Sequence, residues 1–155
     1  MTTVEILPAG PAHAEIMAAL HAATIASEDA AGAWSADWVA RLLALPGAAA
    51  VLALAPDPVG FAVCLPAGEA FDLLAIGVMP EQRRAGIARA LLARCEASAR
   101  AARAERLMLE VAEDNAAARA FYARCGFAEL ARRRGYYGGR PGAAARDALV
   151  LGKNL

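Results

Sequence analysis

Apolar residues change their spacing several times along the first third of the chain, and each change predicts an element. Residues 4–7 form a short β-prone run. Beyond Pro11, whose missing amide costs nothing in a first helical turn, Ile16, Leu20 and Thr24 repeat at helical spacing. A polar loop over residues 26–33 separates this helix from a second one, which Ser35 is placed to cap and along which Trp38, Val39, Leu42 and Leu43 share one side. Pro46 and Gly47 end it. Residues 48–55 and 59–65 are apolar runs flanking Pro56-Asp57-Pro58, a turn too rich in proline to continue either, and they predict a hairpin.

The later pattern alternates strand with helix. Residues 71–78 read as a strand that must stop near Met79, because Pro80 has no amide to give a neighbouring strand. Residues 86–103 read as a helix with Ile87, Leu91, Leu92 and Cys95 inward and Arg89, Arg94, Glu96, Arg100 and Arg103 outward. A strand over 107–111 follows. Asp114 or Asn115 then caps a helix running to Arg124, and Gly126 suits the left-handed position just past its end. Residues 127–133 and 145–151 form two last strands around a glycine-rich loop. This order predicts one α/β domain over residues 1–155, a mixed sheet with helices on both faces.

Composition removes several classes of function. The chain has 155 residues and is 59% hydrophobic, but much of that is alanine. The longest stretch without charge, residues 42–56, is broken by Pro46 and Gly47 and falls short of the roughly 20 apolar residues that cross a bilayer. The N-terminus carries Glu5 and no basic segment before its apolar residues, so no export signal is expected, no membrane partner, and a cytoplasmic location. Cys64, Cys95 and Cys125 match no zinc or redox spacing, and His13 and His21 are the only histidines, so no metal site is expected. The net charge of zero conceals an asymmetry: residues 1–80 hold eight acids and one base, residues 81–155 eight acids and fifteen bases, or −7 against +7. A basic half fits a phosphate-bearing ligand, a nucleic acid or merely solvated helix faces, and charge alone does not choose.

The densest chemistry lies from Val78 to Ala88, where Arg83, Arg84, Ala85 and Gly86 lead from a strand into a helix. Such a turn presents unpaired amides and the positive end of the helix dipole, and small residues let an anion approach the main chain. An ordinary loop with solvated arginines has the same composition. A Walker loop and a three-glycine dinucleotide fingerprint are both absent.

Arg83-x-x-Gly86-x-Ala88 after Val78 resembles the acetyl-CoA signature of the GNAT superfamily of N-acetyltransferases. Leu109-Glu110-Val111, Asn115, Phe121-Tyr122 and Gly126-Phe127 resemble its second signature. Trp34-Ser35, residues 132–137 with their paired tyrosines, and Asp147-Ala148-Leu149-Val150 are similar to bacterial ribosomal-protein-alanine N-acetyltransferases, so the likeness spans nearly the whole chain. The acceptor end departs from that pattern at Ala33, Asp72 and Arg146.

The resemblance implies a twisted, mostly antiparallel mixed sheet of about six to seven strands with helices on both faces. It implies acetyl-CoA held by Ile76, Gly77 and Val78 on the strand, by Arg84, Ala85, Gly86, Ile87, Ala88 and Arg89 on the turn, and by Asn115 at its pantetheine arm. The strands ending at Val78 and Val111 would splay to admit that arm. Glu110 takes the position of general base and Tyr122 that of the acid which protonates the departing thiolate. Trp34, Asp72, Tyr136 and Tyr137 would meet the acceptor, with residues 26–33 and 136–145 as walls of its groove. The expected acceptor is a protein or peptide N-terminus, foremost the alanine of a ribosomal protein, with no direct nucleic-acid contact and a monomer or weak homodimer as the working unit. A small amine, an antibiotic or a protein lysine is the alternative acceptor, and a CoA-binding module without turnover or an arginine-based nucleic-acid binder are alternatives of another kind.

Overall fold

The computed structural model describes residues 3–25, 32–138 and 144–155. Most of the predicted loop over 26–33, and the tip of the glycine-rich loop, lie outside the described residues. Strand β1 (Glu5–Ala9) leads into a 3₁₀ turn, Pro11–His13, and then helix α1 (Ala14–Thr24). The helix predicted to open at Pro11 therefore begins three residues later, after a turn in which the Gly10 amide donates to His13 Nδ1 at 3.1 Å. Its buried stripe is also shifted, with Met17 fully buried and Ile16 39% exposed. Helix α2 (Ala36–Leu43) starts where predicted, with Ser35 Oγ accepting the Trp38 amide at 3.1 Å.

The remaining elements are β2 (Ala49–Leu54), β3 (Pro58–Ala67), β4 (Ala70–Val78), α3 (Ile87–Ala101), β5 (Arg106–Ala112), α4 (Ala116–Arg124), β6 (Ala128–Tyr137) and β7 (Arg146–Asn154), with a 3₁₀ turn, Pro80–Gln82, before α3. They form the expected α/β architecture, a seven-stranded sheet in the order β1-β2-β3-β4-β5-β7-β6. Every neighbouring pair is antiparallel except β4 and β5. Helices α1 and α2 cover one face through Met17, Leu20, Val39 and Leu42, which pack on Phe61, Val63 and Ala75. Helices α3 and α4 cover the other through Leu91, Leu92, Cys95 and Tyr122, against Leu107, Leu109, Val111 and Leu149.

Helix α3 ends at Ala101, two residues before the predicted limit, because Arg103 takes a left-handed φ of 59°. The amides of Arg103 and Ala104 turn back to the carbonyls of Arg100 and Ala99, both at 2.9 Å, which satisfies two of the orphan acceptors at the helix end. Glu96, expected outward on this helix, is buried instead and pairs with Lys153 of β7 at 2.7 Å. This ion pair ties α3 to the sheet across 57 residues of sequence.

One irregularity shapes the centre of the sheet. Val63 of β3 faces Ala75 and Cys64 faces Leu73, so Leu74 is an extra residue without a partner. A bulge of this kind exchanges the two faces of the strand beyond it. Phe71 and Leu73 accordingly enter the core under α3 and α4, whereas Ala75 enters the core under α1 and α2.

Candidate active site

Strands β4 and β5 pair only at their beginnings, through Ala70↔Arg106, Phe71↔Leu107 and Asp72↔Met108. From Leu73 and Leu109 onward they are no longer bonded to each other, so a wedge opens at the centre of the sheet. The main chain lining it on the β4 side is oriented by pairing on the other side. The Met79 amide bonds to the Val59 carbonyl at 2.8 Å, and amides alternate along a strand, so those of Ile76 and Val78 point into the wedge while that of Gly77 faces β3. Gly77 has its own reason to lack a side chain, since a Cβ there would collide with the Thr24 side chain and come within 2.9 Å of the Phe61 ring.

At the wide end of the wedge sits the turn into α3. Arg84 and Gly86 both adopt left-handed backbone, with φ of 63° and 81°. For Arg84 that conformation costs on the order of 1–2 kcal/mol, a strain that persists where the surrounding structure requires it. No side chain caps the helix, and its first turn contains no acid. The first helical bond runs from the Ala90 amide to the Gly86 carbonyl at 3.1 Å, which leaves the amides of Gly86, Ile87, Ala88 and Arg89 ahead of it as orphan donors. A Cβ built on Gly86 meets nothing within 4 Å, so the turn is open beside that residue. Unpaired amides, a dipole end and open space together suit a diphosphate. Arg83 does different work. Its Nε donates to the Val78 carbonyl at 3.0 Å and its guanidinium reaches the Thr24 carbonyl at 3.3 Å, which fastens the turn to the end of α1.

The face of the sheet opposite α3 carries the charged groups. Met108 shares this face with its register partner Asp72, and Glu110 lies one pleat further along β5. Asp72 is pushed above the usual carboxylate range, first by partial burial and then by the negative charge of Glu110. Arg133 of β6 reaches Glu110 Oε1 at 2.6 Å, and its guanidinium carbon stands 4.1 Å from the centre of the Tyr136 ring. Tyr136 is 49% exposed and meets Tyr137 edge-on at 5.3 Å, while Arg146 lies 5.4 Å over the Tyr137 ring. The structure thus brings Asp72, Glu110, Tyr136 and Tyr137 towards one rim.

Tyr122 approaches from the other face. Its ring is buried between Phe121 and Phe127, at centroid distances of 5.2 and 5.5 Å. No described residue bonds its hydroxyl, and no buried polar atom is left unpaired, so the oxygen reaches solvent. Burial raises the phenol well above its ordinary range, with smaller contributions from Cys125, Cys95 and Cys64. It is a hydrogen-bond donor throughout the physiological range, and full proton transfer from it is harder than for a free phenol. The three cysteines, far apart in sequence, converge on this side chain. Asn115 begins α4 and its Oδ1 accepts the Ala118 amide at 3.2 Å, so its side chain already caps a helix at the other border of the wedge.

Trp34 lies two residues before α2. It stacks on buried His21 with ring centroids 4.1 Å apart and lies 4.9 Å from Trp38, and its amide donates to His21 Nδ1. It packs α2 against the core under α1. Arg133 was not among the expected site residues, because its pairing with Glu110 spans 23 residues of sequence. A hollow of about 360 Å³ elsewhere, bordered by Ala120, Phe127 and Leu151 among others, touches none of the expected site residues. The wedge is an open cleft rather than an enclosed cavity, so the volume of a hollow does not locate it.

Residues 18–127 match the model of the acetyltransferase (GNAT) family. No curated protein matches the chain. Among solved structures, the ribosomal-protein-S18-alanine N-acetyltransferase from Escherichia coli is 26% identical, with a TM-score of 0.79 over 98% of this chain and 94% of that one. Nourseothricin acetyltransferase is 24% identical with a TM-score of 0.75 over 99% of each chain. NAA60 of Arabidopsis thaliana, solved with a bisubstrate analogue, is 16% identical with a TM-score of 0.79 over 98% of each. The last two likenesses are of fold.

Proposed function

Because the chain belongs to the GNAT acetyltransferase family, we propose that it transfers the acetyl group of acetyl-CoA to the α-amine of a peptide N-terminus, with the alanine of a ribosomal protein as the leading acceptor. The observation that carries the reading is the wedge between β4 and β5, which has free helix-start amides at one end and two carboxylates on its open face. The Escherichia coli enzyme's named substrate supports the choice of acceptor.

Acetyl-CoA supplies a thioester carbonyl and a thiol leaving group. The amides of Gly86, Ile87, Ala88 and Arg89, with Arg84 and Ala85 shaping the turn, hold the diphosphate. The inward amides of Ile76 and Val78 hold the pantetheine arm as a further strand would, and Val78 N–H donates to the carbonyl oxygen as negative charge develops there. Gly77 keeps that stretch of β4 close to α1, and Asn115 borders the arm from α4. In the transfer an N–C bond forms and a C–S bond breaks. The proton lost from nitrogen passes to Glu110, directly or through a water, and the sulfur receives one from Tyr122 or solvent. Glu110 has a modest task with an α-amine, whose reference pKa of about 7.7–8.0 leaves roughly a tenth neutral at pH 7, against a lysine amine near 10.4. Asp72, Tyr136 and Tyr137 meet the acceptor. Trp34, stacked on His21, is the fourth residue proposed to meet it.

The test is incubation with acetyl-CoA and a panel of peptides beginning with Ala or Ser, peptides with a blocked N-terminus and one lysine, and small amines including antibiotics. Release of CoA together with acetyl found on the Ala or Ser α-amine is expected. Preferential turnover of small amines overturns the acceptor, and CoA binding without transfer to any amine overturns the reaction.

A further inference from the structure

The rim of the proposed acceptor site already contains a cation. Arg133 donates to Glu110 Oε1 at 2.6 Å, and no bond from a described residue goes to Oε2. The guanidinium is held from its other side by the Tyr136 ring at 4.1 Å. The Arg133 side chain is 52% exposed and that of Glu110 32%, so the pair is of the half-solvated kind that another ligand can loosen.

The groups facing Arg133 come from each strand around it. Strand β5 contributes Glu110, with Asp72 of β4 beyond it, and β6 contributes Tyr136 beside Arg133 itself. The register partners on β7, Ala148 opposite Arg133 and Val150 opposite Glu110, carry no charge. Glu28, Asp29 and Arg140 lie outside the described residues. Arg146, over the Tyr137 ring, is already paired with Asp114, so among the described groups Arg133 is the cation that partners Glu110, and without it neither Glu110 nor Asp72 has an ion-pair partner.

We infer that Arg133 is a specificity-determining residue, a fixed positive charge beside Glu110 that favours acceptors presenting a free-base amine, peptide α-amines, over the lysine side chain, which is almost wholly charged near neutral pH. The inference rests on the acetyltransfer reading above. An α-amine arrives neutral often enough to approach Oε2 without contesting Oε1. A lysine ammonium meets a guanidinium in the place its own charge would take, and like charges at such a distance oppose each other.

The experiment compares wild type, Arg133→Gln and Arg133→Lys. Each is assayed from pH 6 to 9 on an alanine-initiated peptide without lysine and on a matched peptide with a blocked N-terminus and one lysine, and CoA affinity is measured alongside. In Arg133→Gln the preference for the α-amine, as a ratio of kcat/KM values, is expected to fall about four- to tenfold, the effect of one unit charge about 5 Å away in a wet site. The acid limb of its rate profile should move to higher pH, because two unopposed carboxylates hold the acceptor's proton more tightly. Arg133→Lys should retain the wild-type preference and profile, and CoA affinity should be the same in all three. An unchanged preference and acid limb in Arg133→Gln overturns the inference, as does an Arg133→Lys variant that behaves like Arg133→Gln. Wild-type turnover tests the proposed reaction separately, and failure to acetylate any amine would remove both.

Discussion

The two ends of the wedge between β4 and β5 are made of different material. At the α3 end the groups that face the opening are main chain, four amides ahead of the first helical bond with neither a capping side chain nor an acid in the helix's first turn. At the β5–β6 end they are side chains, and these are already partnered, Glu110 with Arg133 and Arg133 with Tyr136. The first end is an unmet demand that one kind of ligand, an anion, answers. The second is a satisfied network that a ligand must enter by exchange. An end built from amides tolerates any side chains that keep the backbone shape, whereas an end built from side chains changes its preference with each substitution. Two solved structures of this fold are named for acceptors as unlike as the S18 alanine and nourseothricin, and the fold alone does not choose between them.

The largest effect should come from removing the proposed base at the side-chain end. Glu110→Gln is expected to lower kcat about a hundredfold or more, the usual scale for a positioned proton acceptor, with CoA affinity unchanged and part of the rate restored at high pH, where the α-amine is neutral unaided. Steady-state kinetics across pH on an alanine-initiated peptide would show it. An unaltered rate would take Glu110 out of the chemistry and leave the rim a binding surface.

At the main-chain end the corresponding change is Gly86→Val. The left-handed φ of 81° costs a non-glycine residue about 1–2 kcal/mol, and the branched side chain adds bulk at the residue from which the helix starts. CoA affinity measured by calorimetry should weaken about tenfold or more. Since a Cβ there meets no other atom, thermal stability should fall only by the backbone cost. Undiminished affinity would mean that the diphosphate docks elsewhere.

Legibility in the sequence follows the same division. Gly86, Pro80, Ser35 and Gly126 announce themselves because a turn, a strand end or a cap is decided within four residues, and the elements they delimit stand within a few residues of expectation. The Glu110–Arg133 pair spans 23 residues, and the Leu74 bulge depends on how β3 pairs, so neither leaves a local trace. The same holds for Glu96, whose partner Lys153 lies near the end of the chain. The α1 stripe was misread for another reason. In a helix composed largely of alanine, Ile16 and Met17 fit nearby helical faces equally well, and packing against the sheet chose Met17.

Tyr122 sits between the two ends, and Tyr122→Phe should have a smaller effect on rate than Glu110→Gln. A thiolate leaving group, with a reference thiol pKa of about 8.5, can take its proton from water, so kcat is expected to fall about tenfold. The substitution has a second signature, in stability. The folded phenol titrates above its unfolded value, so its contribution is complete below about pH 10 and is lost as pH rises beyond that point. The drop in denaturation midpoint between pH 8 and pH 11 should therefore be smaller in Tyr122→Phe than in wild type. An equal drop would show that the hydroxyl is not held in the buried environment around Phe121, Phe127 and the three cysteines.

The smallest effect concerns the residue where the division blurs. Asn115 is a side chain that does for α4 what nothing does for α3, its Oδ1 accepting the Ala118 amide. Replacing it with alanine should remove a cap worth about 1 kcal/mol and lower Tm by about 2–4 °C for a chain of this size. If the pantetheine arm also borders Asn115, CoA affinity should weaken a few-fold in the same variant. The helix needs its cap whether or not donor is bound, so the two losses are separable: lower Tm with unchanged CoA affinity would confine Asn115 to the helix, and weaker affinity with unchanged Tm would show that its amide group serves the ligand more than the cap. Either result would place the boundary between the main-chain end and the side-chain end on one side of α4.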